Sequence, residues 1–116
     1  MDPARVIATN DLAYAICDGF PVTDGHALII PKRHIEDYFG LTQQELLDCD
    51  ALLRTLKVQI QQDDTNVEGF NIGMNAGQAA GQTIFHCHIH LIPRRTGDVD
   101  EPRGGIRHLI PGKGAY

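Results

Sequence analysis

Residues 84–92 read Ile-Phe-His-Cys-His-Ile-His-Leu-Ile, and this strict alternation leaves the backbone few choices. Side chains on a β-strand point to opposite faces with a period of two, so the spacing predicts a half-buried strand. His86, His88 and His90 then share one face, while Phe85, Cys87, Ile89 and Leu91 share the other, which reads as core. The row takes three of the chain's six histidines. A neutral imidazole is one of the few side chains that offers a nitrogen nucleophile near pH 7.

Two chemistries use such a row. Neighbouring residues on one strand face stand roughly 6.5–7 Å apart, so two adjacent imidazoles can share a zinc ion but a third reaches it with difficulty. A phosphate ester or anhydride is longer than an ion and suits the row better. The central imidazole attacks phosphorus, while its neighbours orient the group, neutralise its oxygens or protonate what leaves. The bland alternative is a row of polar side chains facing solvent.

The rest of the chain reads as one domain of 116 residues. Leu12 to Cys17 is an apolar run closed by the turn signal Asp18-Gly19, and Ala27 to Ile30 is a second run ended by Pro31. They are read as an antiparallel pair. The connecting loop, Asp18 to Gly25, holds apolar Phe20 and Val22 among turn-forming residues. A long helix is predicted from Thr42 as N-cap, with Glu45 completing a capping box and Leu41 packing on Leu46. Leu46, Cys49, Leu53, Leu56 and Ile60 give it an apolar face to about Gln62, and Asp63-Asp64 would oppose the dipole beyond that point. Phe70, Ile72 and Met74 alternate with polar residues as a strand does. The turn Ala76 to Thr83, rich in glycine and small residues, brings backbone N–H groups and the Gln82 and Thr83 side chains up to the histidine row.

From Thr96 to Tyr116 glycine and proline discourage regular structure, yet Ile106, Leu109 and Ile110 form an apolar island expected to pack on the body or on a partner subunit. Arg94, Arg95, Arg103 and Arg107 are read either as positive potential for distal phosphates or as ordinary solubilising charge. A net charge of −5 excludes a broad footprint on a nucleic acid polymer. Three unclustered cysteines suit a reducing, cytoplasmic setting, and the N-terminus shows neither a signal peptide nor a membrane span.

The segment from His86 to Pro93 resembles the signature of the histidine triad (HIT) family of nucleotide hydrolases and transferases, His-x-His-x-His with apolar residues between and after. The similarity extends through Asn71 to Gly77, the Gly81-Gln82-Thr83 turn and Asp18 to His34, covering roughly residues 12 to 95. The resemblance implies an α+β, HIT-like fold: an antiparallel sheet of about five strands, one long helix, a short helix near Ile35 to Phe39, and a homodimer whose sheets join. It also implies the site roles. His88 would attack the α-phosphorus of a small nucleotide and form a nucleotidyl-histidine intermediate, with His86, His90 and His26 in support. Asp18 would bind ribose hydroxyls, Phe20 and Val22 would flank the base, and Asn75, Gln82 and Thr83 would contact the bound nucleotide.

Attack requires His88 neutral, and either His90 or His86 is expected to carry a proton for oxyanion charge. No cofactor is required, and a divalent metal would at most accompany the substrate phosphates. Thr83 after Gln82, and Ile92-Pro93-Arg94-Arg95, look more like dinucleoside polyphosphate hydrolases than phosphoramidases of the family. A phosphoramidase or phosphorylase stays open. From other classes, so do a nucleotide-binding signalling module without turnover and a metal-dependent enzyme with His86 and His88 as ligands beside His26 or an acidic residue.

Overall fold

The computed structural model describes residues 3–114, so the chain's first two residues and the last two of its tail lie outside the described residues. Five strands, β1 (Val6–Thr9), β2 (Ala13–Cys17), β3 (Ala27–Pro31), β4 (Val67–Gly73) and β5 (Ile89–Arg95), form one antiparallel sheet in the order β1-β2-β3-β5-β4. A single long helix, α1 (Gln43–Asp63), separates β3 from β4 in sequence. The class is α+β. The first strand was not legible in the sequence: Val6 to Thr9 is short and alternates between half-buried and exposed positions at the sheet edge.

Helix α1 covers one face of the sheet. Ala13, Ala15, Ala27, Ile29, Ile89 and Leu91 meet Cys49, Leu52 and Leu56 there in a continuous core. Burial pushes the Cys49 and Cys87 thiols up to about 11, so both sit in the core as protonated, apolar groups. The buried stripe of α1 runs Glu45, Cys49, Leu52, Leu56, one position round from the stripe predicted from Leu46. Leu53 and Ile60 lie at its margin, and Leu46, at 37% exposure, turns toward the edge of the sheet.

Glu45 leads the stripe because it has partners that make its burial tolerable. Thr42 caps the helix as expected: its hydroxyl accepts from Glu45 N at 3.1 Å, and the Glu45 carboxylate accepts from Thr42 N at 2.9 Å. Arg33, just after β3, adds a bidentate pair to the same carboxylate at 2.8 and 2.9 Å. That guanidinium, followed by the Thr42 backbone N–H, lowers the Glu45 carboxyl to about 2. The cluster thus ties the exit of β3 to the first turn of α1. At the other end Asp64 caps the helix, and Arg95 of β5 pairs with it at 2.9 Å, answering the acidic end that the dipole disfavours.

Two expectations need correction. The short helix lies at Tyr38–Gly40 as a single 3-10 turn, opened by Asp37 accepting from Phe39 N, instead of at Ile35 to Phe39. Strand β5 begins only at Ile89, so His86 and His88 precede it outside the sheet ladder, with His86 at a bend and Cys87 N donating to the Ile35 carbonyl at 2.7 Å. The period of two still carries through, since Cys87, Ile89, Leu91 and Pro93 are buried, but Phe85, expected in the core, is 41% exposed. Among the described residues no helix is long and apolar enough to cross a membrane.

Thr42→Ala removes the hydroxyl that accepts from Glu45 N, and is expected to lower stability by about 1 kcal/mol. Urea unfolding monitored by circular dichroism checks this, and an unchanged midpoint would contradict the assigned cap.

Candidate active site

The site forms on the sheet face opposite α1, where β5 lies between β3 and β4. Leu28 of β3 and Gly73 of β4 both pair with His90, which sets that imidazole in the middle of the face. The loop between β2 and β3 brings the next two groups. Asp18 accepts from Phe20 N at 2.8 Å, Asp18 N donates to the His26 carbonyl at 3.0 Å, and the Thr23 hydroxyl donates to the Pro93 carbonyl at 2.8 Å. Gly25, at φ +90°, makes the last bend, and a side chain there would press on Pro93 at 3.2 Å. The loop is therefore locked onto β5.

His26 is 3% exposed and bonded on both ring nitrogens. Val22 N donates to its Nδ1 at 3.1 Å, so a neutral His26 carries its proton on Nε2. That Nε2 stands 2.9 Å from His90 Nδ1 and 3.3 Å from Asp18 Oδ2. His90 accepts on Nδ1 and thus holds its own hydrogen on Nε2, on the ring side away from His26. The other two histidines bond to carbonyls. His88 Nδ1–H donates to the His86 carbonyl at 2.8 Å, leaving a lone pair on Nε2, and His86 Nε2–H donates to the Pro31 carbonyl at 2.8 Å. The His88 and His90 rings are 5.2 Å apart. The arrangement offers one nucleophilic nitrogen beside one N–H donor, which matches what transfer at phosphorus requires.

Burial lowers the pKa of both His26 and His90, with His88 and His26 adding to the effect on His90 and Asp18 opposing it in each case. The neutral form of His90 is thus favoured in the free protein, where the sequence had left the proton to either His90 or His86.

The turn before the row differs from its predicted role. Gln82 is 3% exposed, its carbonyl accepts from Gly77 N at 2.8 Å, and its amide donates to the Glu36 and Ile84 carbonyls at 2.6 and 3.2 Å. Gln82 braces the turn, with both amide hydrogens committed inside the protein. The N–H groups of Ala80, Gly81 and Gln82 also close onto Gly77 and Gln78, so the turn is a rigid plug more than an open cradle of donors. Thr83 is exposed, and Asn75 lies half-buried in the cleft beside His90. Phe20 is 91% exposed and does not line that cleft, whereas Val22 does.

The metal reading changes residues and then weakens. His86 and His88 both face carbonyls, and the cluster with cation-ligand spacing is Asp18, His26 and His90, whose ligand atoms lie within 4.8 Å of one another. For His26 Nε2 to bind a cation it would have to present a lone pair there. The Val22 N–H already takes the lone pair on Nδ1, and a neutral imidazole has only one other nitrogen, which keeps the hydrogen. The cluster fits a hydrogen-bond relay better than a metal site.

Sequence reading missed the Val22 amide, since a backbone group carries no side-chain signature. It also missed that Arg94, read as potential for phosphates or as solubilising charge, bonds instead to Asn71 and Asp98 on the same face. Arg94 and Arg95 are paired with Asp98 and Asp64, so neither supplies free positive potential.

A five-stranded sheet with one long helix and this histidine row defines a class, and comparison with known proteins agrees. The HIT domain model matches residues 1–97, and the chain belongs to the histidine triad family. It is 31% identical to a bis(5'-adenosyl)-triphosphatase of Dictyostelium discoideum over 84% of this chain and 64% of that protein. It is 30% identical to an AP-4-A phosphorylase of Mycobacterium tuberculosis over 82% of this chain and 49% of that protein. A hypothetical histidine triad nucleotide-binding protein of Sulfolobus tokodaii superposes with a TM-score of 0.75 at 32% identity, covering 84% of this chain and 64% of that one. The chain spans about three fifths of the length of several curated relatives it matches and about half of the AP-4-A phosphorylase.

The lowered pKa values carry a sign. Below pH 6.5 an unfolded histidine takes up a proton that buried His26 and His90 still refuse, so stability falls as pH drops through 6.5 and is unaffected above it. His26→Gln is expected to flatten the dependence of melting temperature on pH between about 7.5 and 5.5. Parallel curves for the two proteins would show that His26 does not contribute.

Proposed function

We propose that this protein is a nucleotide hydrolase that cleaves at the α-phosphorus of dinucleoside polyphosphates or related conjugates through a nucleotidyl-histidine intermediate. The observation that carries this reading is the 2.8 Å bond from His88 Nδ1–H to the His86 carbonyl, which leaves Nε2 as the free nucleophile. In the first step the His88 Nε2–phosphorus bond forms and the bond from phosphorus to the leaving oxygen breaks. A polyphosphate departs as its anion and needs no proton. The His86 carbonyl stabilises the cationic ring that results, and His90 Nε2–H donates to a non-bridging oxygen. In the second step water forms the new phosphorus–oxygen bond, the bond to Nε2 breaks, and the nucleoside monophosphate and a proton leave.

Asp18 is assigned the ribose hydroxyls, Thr83 and Asn75 the phosphate oxygens, and the His26–Asp18 pair the orientation of His90. Phe20, outside the cleft beside His90, is assigned to the base, whereas Val22 lines that cleft beside His26. The reaction needs no resident cofactor, and any divalent cation would enter with the substrate phosphates. Phosphate in place of water as the final acceptor would make the same chemistry a phosphorylase, and an amine as leaving group a phosphoramidase.

The partner surface is assigned to a second copy of the chain. Strand β4 is an edge strand, and beside it Leu46, Leu47, Leu53, Ile72 and Met74 line an apolar groove of about 370 Å³. An unpaired edge next to exposed apolar side chains is the arrangement that antiparallel pairing across a two-fold axis covers. We place this homodimer in the cytoplasm, where Cys17, Cys49 and Cys87 remain free thiols.

His88→Ala is expected to reduce AMP release from diadenosine tetraphosphate by on the order of 10³-fold or more. Quenched wild-type reactions should show one nucleotidyl group on the His88 peptide by mass spectrometry. Turnover by the variant at a rate comparable to wild type sinks the assignment. For the dimer, Leu47→Glu is expected to shift sedimentation toward the monomer, and a wild type that is already monomeric overturns that part alone.

A further inference from the structure

The tail does more than pack against the body. From Asp98 to Leu109 it runs over the open face of β4 and β5, and between tail and sheet lies a cleft of about 760 Å³ that is continuous with His90 and His26. Small-molecule sites commonly measure ~300–1,000 Å³. The floor is Ile92 with bare Gly73, where an added Cβ would come within 3.9 Å of Ile106. Ile106 and Leu109 form the tail side, 61% and 71% exposed, on a tail that is pinned upstream at Asp98. The pin is a bidentate pair, Arg94 to Asp98 at 2.8 Å on both arms, with Arg94 Nη1 donating to Asn71 at 2.7 Å and Arg95 N to Asp98 at 3.0 Å.

Charge decides what such a cleft can take. Its two arginines are matched by Asp98 and Asp64, and Asp24 stands at its rim, so no cation is left over for a phosphate. An uncharged group with an apolar face fits; an anion does not. Sheet order then decides which group. Asp18 flanks His90 from the side of β2 and does not line the cleft, which runs from Val22 to Asp24 of the β2–β3 loop past His26 and His90 and on over β4, the far half of β5 and the tail. With the ribose of the attacked nucleotide at Asp18, the other arm of the substrate lies across His90, over the cleft.

We propose that the tail-walled cleft is the subsite for the leaving group, and that it selects conjugates whose departing arm ends in a bulky uncharged ring, such as a second nucleoside. This rests on the hydrolase reading above and adds to it the part of the substrate that the tail recognises. The charged linker of that arm stays near His88 and His90, where the N–H donor is. Roughly 13 Å of strand separates His90 from Arg94, enough to seat the ring beyond a short phosphate linker.

The test compares two substrates on the full chain: diadenosine tetraphosphate, with a nucleoside at the end of its leaving group, and adenosine 5'-phosphoramidate, which loses only ammonia. Ile106→Asp/Leu109→Asp puts charge on the apolar wall at two exposed positions, and a thermal melt verifies that the variant is folded. The ratio of kcat/KM for the dinucleotide over the phosphoramidate is expected to fall about tenfold or more, equivalent to about 1.4 kcal/mol, mostly through KM. Ile106→Leu, which keeps the wall apolar, is expected to keep the ratio. A ratio within about twofold of wild type in the charged variant overturns the subsite while leaving the hydrolase standing. A wild type that turns over neither substrate overturns the hydrolase reading, and the subsite with it.

Discussion

The backbone N–H of Val22 settles the chemistry of this site. By donating to His26 Nδ1 it puts the His26 hydrogen on Nε2, which puts the acceptor of His90 on Nδ1 and its hydrogen on Nε2. One amide therefore sets the tautomers of two imidazoles. It can do so only because the loop that carries it is held to β5 by Thr23 and bent at Gly25. The low exposure of His26 follows from the same locking, and burial in turn lowers its pKa. Rigid backbone, fixed tautomer and neutral ring are one event seen at three levels.

Burial and pairing divide the two faces of the sheet cleanly. Toward α1 the strands present alanine, isoleucine and leucine, α1 answers with Cys49, Leu52 and Leu56, and the charged Glu45 at the head of its buried stripe is matched by Arg33 and by the helix cap. Toward the site they present His90, Ile92, Asn71 and Gly73, under a tail tied down by Arg94 and Asp98. Ion pairs on this face hold loops and tail in place and leave little net field in the cleft. The histidines of the site are partnered by one another, by Asp18 and by backbone groups.

Much of the architecture was legible in the chain. The capping box at Thr42 and Glu45 read correctly because it depends on residues three apart, and the alternation from Cys87 to Pro93 read correctly because it depends on period alone. The misreadings share a cause. Whether Leu46 or Glu45 faces the sheet depends on Arg33, twelve residues away, and whether Gln82 meets a ligand or braces a turn depends on the Glu36 carbonyl. The edge strand β1 is too short to show a period of its own.

What the chain's residues determined by themselves was the type of chemistry: three imidazoles at a spacing of two, with apolar residues between them, commit a backbone to extended form and one face to nitrogen. Which nitrogen attacks, which donates and which ring stays neutral belonged to the tertiary structure. Each depends on a partner distant in sequence, Val22 for His26, His26 for His90, and Pro31 for His86, and on burial that a single strand cannot confer. The same is true of the tail, whose apolar residues announce packing, while their place beside His90 exists only because Arg94 and Asp98 fold the chain back over its own sheet.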